Sequence, residues 1–187
     1  MKPIVKTLAL LTIFFLSATI AMAQILKPAP ANSIAAYVQR VIDDYPNHFN
    51  NIIGEVIIQN PQSTDYQCNF KVNGAEECTI TKYSSEKYQV LSWQALMLTT
   101  EDFNKAKQLF RSSYNELNTV TTASMQLKGT YEAPSEDKKF TAILFSLRPV
   151  TESFKKLKVE LVMESQGMDW KIKVLVYDLD QEKGEVE

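Results

Sequence analysis

The sequence predicts an α+β fold, an antiparallel sheet with two helices in a two-layer arrangement. Three observations predict it. Residues 32–45 and 99–118 repeat apolar side chains at steps of three and four, the runs around them alternate apolar and polar, and turn residues such as Asn73-Gly74 punctuate those runs. The order reads α-β-β-β-β twice, over 32–98 and 99–180, with helix starts about 68 residues apart. A tandem repeat produces that order, and so does any run of hairpins flanked by helices.

Residues 1–23 carry Lys2 and Lys6, an uncharged apolar run and the small-x-small pattern Ala21-Met22-Ala23, which marks a secretory signal peptide. The run is short for a membrane span, and no cysteine follows the cleavage site, so the expectation is an exported protein, periplasmic or extracellular, without a retained anchor. Cleavage leaves 164 residues with 18 basic and 22 acidic side chains, a net charge near −4. Such a surface offers nucleic acid no general attraction. Five glycines, seven prolines and 45% hydrophobic residues describe a chain that can bury one core, expected over 32–180.

Residues 24–31, QILKPAPA, read as an extended leader, because Pro28 and Pro30 fix φ and remove donors. Asn32 or Ser33 then caps a first helix with Ile34, Tyr37, Val38, Val41, Ile42 and Tyr45 on one face, and Pro46 stops it. Asp43 and Asp44 fall in its last turn, where the dipole disfavours acids, and read as a solvated end. Strands follow at 51–60, with a bend at Gly54, and at 66–72, 78–80 and 87–97. Thr99 or Thr100 is the expected cap of the second helix, with Glu101 and Asp102 in its first turn and Phe103, Ala106, Phe110, Tyr114 and Leu117 on its apolar face. Further strands are expected at 121–131, 140–148, 157–163 and 170–178. The segment 181–187 is an acidic tail.

Two cysteines in an exported chain read as one disulfide. With a three-residue loop at Val72-Asn73-Gly74, residues across the hairpin sum to 146, and Cys68 faces Cys78 at a non-hydrogen-bonded site with Cα atoms roughly 4.5 Å apart. A two-residue Asn73-Gly74 turn would send the sulfurs to opposite faces.

No chemistry-bearing motif emerges. His48 is the single histidine, zinc patterns and phosphate-cradling glycine loops are missing, and the cysteines are better explained as a pair, so neither a metal nor a cofactor is expected. Lys156 and Lys158 share one strand face and Lys171 and Lys173 another, which makes a basic patch geometrically feasible; the plainer reading is a solvated outer face. Trp93 and Trp170 fall in the last strand of each half, where they could line a groove or fill the core. The functional expectation is a small exported binding protein without catalysis, its partner an unidentified protein or small molecule. The alternatives are a carrier of an apolar small molecule and a hydrolase, the latter without a visible constellation.

Overall fold

A computed structural model describes residues 32–84 and 89–178. The signal segment 1–23, the leader 24–31, the tail 181–187 and the first residues of the strand expected at 87–97 lie outside the described residues. The fold is α+β, a nine-stranded antiparallel sheet with two helices.

Helix α1 spans Ile34–Asp44. Ser33 caps it, its hydroxyl oxygen accepting from the Ala36 N–H at 3.3 Å, and Ile34, Ala35, Val38, Val41 and Ile42 are buried. Pro46 sits in a single 3₁₀ turn, Tyr45–Asn47, that ends the helical stretch. Helix α2 spans Phe103–Leu117 and buries Ala106, Phe110, Ser113 and Leu117. Its cap is neither Thr99 nor Thr100. Both threonines are the last residues of a strand, paired with Lys171 and Trp170, so their backbones are already extended and bonded. Asp102 takes the position instead, its carboxylate accepting from the N–H groups of Asn104 and Lys105 at 2.8 and 3.1 Å, where the helix dipole also favours it.

The strands are β1 (Ile53–Gln59), β2 (Ser63–Cys68), β3 (Glu77–Ser84), β4 (Gln89–Thr100), β5 (Thr121–Thr122), β6 (Met125–Gly129), β7 (Phe140–Arg148), β8 (Leu157–Gln166) and β9 (Asp169–Asp178). Their order in the sheet is β1-β2-β3-β4-β9-β8-β7-β6-β5. Two meanders therefore meet along β4 and β9, which pair from Ser92 with Tyr177 to Thr100 with Trp170. The single strand expected at 121–131 is instead a hairpin, because the chain reverses at Ala123 and Ser124, with Ala123 at φ 49°. The second helix is thus followed by five strands, one a two-residue stub. Gly54 marks the expected irregularity: the β1–β2 register shifts between Ile53 and Val56, and a Cβ at residue 54 would stand 2.8 Å from the Gln67 carbonyl oxygen.

The β2–β3 hairpin keeps the expected register, Ser63 facing Tyr83 and Gln67 facing Thr79, both summing to 146, but not the expected loop. Ladder pairing of β2 stops at Cys68. Phe70 leaves the strand to stack on Tyr37 of α1, centroids 6.0 Å apart, under the Arg40 guanidinium at 4.3 Å, and Val72 is 1% exposed. Burial of these two side chains outweighs continued pairing. The turn closes between the Val72 carbonyl and the Ala75 N–H at 3.2 Å, with Gly74 at φ 82° where only glycine is unstrained. Cys68 and Cys78 form a disulfide with Cα atoms 5.8 Å apart, wider than the spacing expected from a regular ladder.

Helix α2 lies over β4, β6, β8 and β9, and α1 lies beside it against β5 and β9. Between helices and sheet one cluster contains side chains from both halves, including Ile80, Trp93, Phe110, Phe145, Leu161 and Val174. The disulfide closes a ring of about ten residues, so the double change Cys68→Ala, Cys78→Ala should lower stability by about 2–3 kcal/mol in urea unfolding. No change in the midpoint would show that the buried loop, not the covalent link, holds this end of the sheet.

Candidate functional site

Alternation along β7, β8 and β9 sends Ile143, Phe145, Leu161, Val174 and their row-mates toward the helices, leaving a second face with no helix over it among the described residues. That face carries Lys158, Glu160, Val162 and Glu164 from β8 beside Tyr177, Leu175, Lys173 and Lys171 from β9, in that pairing order. Lys171 and Lys173 are neighbours there. Lys158 sits at the opposite end of the same strand pair, and the exposed Lys156 precedes β8. The four lysines do not converge. Lys173 Nζ lies 2.6 Å from Glu164 Oε1, Lys171 donates to Gln166, and the Tyr177 hydroxyl donates to Glu160 at 3.2 Å. One cross-strand acid, Glu164, thus pairs with one lysine of the face, Lys173, and a partly exposed bridge of this type contributes about 0–1 kcal/mol.

Trp93 and Trp170 point the other way, into the helix-covered side. Trp93 is fully buried opposite Val176, and its indole N–H makes no hydrogen bond among the described residues. Trp170, 8% exposed, meets Phe103 edge to face at 5.1 Å. The two rings lie toward opposite ends of the β4–β9 ladder, Trp93 on β4 and Trp170 on β9, and neither lines any of the three surface clefts described.

What sequence reasoning missed lies on the uncovered face. Phe140 and Leu144, 57% and 48% exposed, flank Ala142 on β7; Val162 pairs with Ala142, and Leu175 lies one strand further across Glu160. The signal was present in FTAILFSLR, a run apolar at both parities where a strand solvated on one face would alternate. A second exposed apolar set, Val56, Ile57 and Ile58, occupies the edge strand β1.

His48 lines a cleft of about 340 Å³ with Tyr45, Phe49, Leu91, Ser153 and Asp178. Serine, histidine and aspartate are therefore near one another, but they do not form a relay. The Tyr45 hydroxyl donates to Asp178 at 3.1 Å, while neither the imidazole nor the Ser153 hydroxyl makes a hydrogen bond among the described residues; an activated nucleophile needs its base within that reach. The loop that carries His48 is organised by Asp44. Expected as a solvated helix end, Asp44 is 7% exposed and accepts from the Asn51 backbone N–H at 3.0 Å, the Asn51 amide and the Asn47 amide at 3.1 Å. These bonds hold His48 and Phe49 in left-handed backbone. Asp43 is exposed and accepts from the Thr122 hydroxyl.

Among the described residues, no group of three His, Cys, Asp or Glu side chains is arranged to hold a metal ion, and no helix is long and apolar enough to cross a membrane. Comparison with family models, curated proteins and solved structures finds no match. Because Asp44 is itself buried and accepts three hydrogen bonds, Asp44→Ala should destabilise the protein by about 3 kcal/mol, against about 1 for Asp43→Ala, in urea denaturation. Equal effects would contradict the structural role given to Asp44.

Proposed function

We propose that this is an exported, non-catalytic binding protein whose partner meets the uncovered sheet face. The observation that carries the reading is an apolar strip across three adjacent strands, in which Phe140 and Leu144 are exposed, Ala142 and Leu175 are partly exposed and Val162 lies buried among them, with charged and hydroxyl groups around it. An apolar centre with a polar rim is the common composition of a protein contact surface. Export rests on the N-terminal segment and agrees with the disulfide. The burial of Trp93 and Trp170 among core side chains speaks against a ligand cavity at the tryptophans, and the unlinked His48 and Ser153 speak against a hydrolase.

A photoreactive residue at Leu144 should give discrete crosslinked adducts when the protein is made in its own cells, whereas one at Arg111, on the outer side of α2, should not. Adducts at neither position, or equally at both, would overturn the proposal.

A further inference from the structure

The register of the sheet gathers a different set of cations from the one that strand parity suggests. Lys128 on β6 pairs with Ser146 on β7, and Arg148 follows two residues along the same strand, opposite Gln126. The β7–β8 ladder ends with Phe145 opposite Val159, so Lys158 is the next residue of β8, beside Ser146. The chain neighbours Leu127, Leu147, Leu157 and Val159 are all buried on the helix side, which turns Lys128, Arg148 and Lys158 to the uncovered face. With strands roughly 4.8 Å apart and alternate residues roughly 7 Å apart, the three Cα atoms lie within about 10 Å of one another. None of the three cations makes an ion pair or a side-chain hydrogen bond among the described residues, although the mature chain has more acids than bases. Glu160, two residues along β8 from Lys158, accepts from the Tyr177 hydroxyl. Neighbouring like charges on a sheet cost stability, so folding does not explain the set. Edge protection accounts for Lys128, because β5 pairs with β6 only at Met125 and Gln126. It does not account for Arg148 and Lys158, whose strands are paired on both sides.

We infer that the partner of the uncovered face is an acidic polypeptide segment, its carboxylates bound by Lys128, Arg148 and Lys158 and an apolar side chain beside them meeting Leu144. The inference rests on the reading that a partner binds this face, and it adds that partner's chemistry. Charge complementarity supplies the sign: unpaired cations on a binding surface select and steer an anionic partner. The Arg148 guanidinium can take one carboxylate through two parallel hydrogen bonds, while the lysines act as point charges. Leu144 is two residues from Ser146 on β7, so the apolar strip begins where the basic set ends, and a segment that carries both acids and an apolar residue fits the two together. The rest of the face selects a narrow partner over an extended polyanion. An anionic membrane surface, or nucleic acid long enough to span the sheet, would also meet Glu160, Glu164 and Glu77, which share this face. A polypeptide segment lying across one end meets the cations without them.

Fluorescence anisotropy of a fluorescein-labelled glutamate-rich peptide, with a glutamine-substituted copy as the neutral control, tests it on the natively processed protein. The expected result is saturable binding of the glutamate peptide and none of the neutral copy, weakened at least about tenfold between low and physiological salt. The triple change Lys128→Gln, Arg148→Gln, Lys158→Gln should weaken it at least about tenfold at low salt. The triple change Lys105→Gln, Lys107→Gln, Arg111→Gln, at exposed positions of α2, removes the same net charge and should alter the affinity less than about twofold. The salt dependence and the neutral peptide need no variant, so the test stays decisive if the first triple change misfolds. Absence of binding at low salt overturns the inference, as does equal loss from the two triple changes. Binding to anionic phospholipid vesicles with none to the peptide overturns it in favour of a membrane surface. In cells, crosslinked adducts at Leu144 that persist undiminished when Lys128, Arg148 and Lys158 are replaced overturn the inference and leave the reading of the face standing, whereas absence of adducts from the unsubstituted protein overturns both.

Discussion

The pairing of β4 with β9 is the interaction on which the rest of the structure depends. Eight residue pairs join the two meanders, and the buried members of that ladder, Trp93 with Val176 and Ala95 with Val174, form the floor of the shared core. Without this joint each half would have four or five strands and one helix, a small sheet with a long apolar edge. With it, α2 can lie over strands of both halves, and Phe110 and Leu117 are fully buried.

The same demand for burial explains the departures from regular geometry. Phe70 and Val72 leave β2 because the space under α1 accepts an aromatic ring and a valine, and the disulfide then ties the shortened strand to β3. Thr99 and Thr100 are drawn into β4, so the helix start passes to Asp102. Asp44 turns inward because the loop that follows it has left-handed backbone and unpaired amides in need of an acceptor. In each case a tertiary contact decides between two local options that the chain alone leaves close in energy.

Much of the architecture was legible, for physical reasons. The β7 bounds and the alternation of β8 and β9 could be read directly because one face of each strand is buried, and α2 because its apolar stripe covers that face. The cross-strand sum of 146 survived a wrong loop, since register depends on which faces must be apolar and less on how the chain turns. Boundaries governed by distant partners were not legible: the break at Ala123, the end of β2 and the cap at Asp102. The site was legible only in part. Lysine counting could not reveal that Glu164 neutralises Lys173, because that contact depends on strand pairing. The exposed strip on β7 was encoded in a run apolar at both parities, which reads equally as a strand buried on two sides. Only the placement of both helices on one face separates the two meanings.

The central claim is that the two meanders form one cooperative unit through β4 and β9. Amide hydrogen exchange measured against denaturant tests it most directly. The account predicts that the Ile80 amide in β3 and the Leu161 amide in β8 share one opening free energy and one denaturant dependence, equal to those of global unfolding. If β3 instead opened at a lower free energy while β8 and β9 stayed protected, the halves would be separate units and the claim would be wrong.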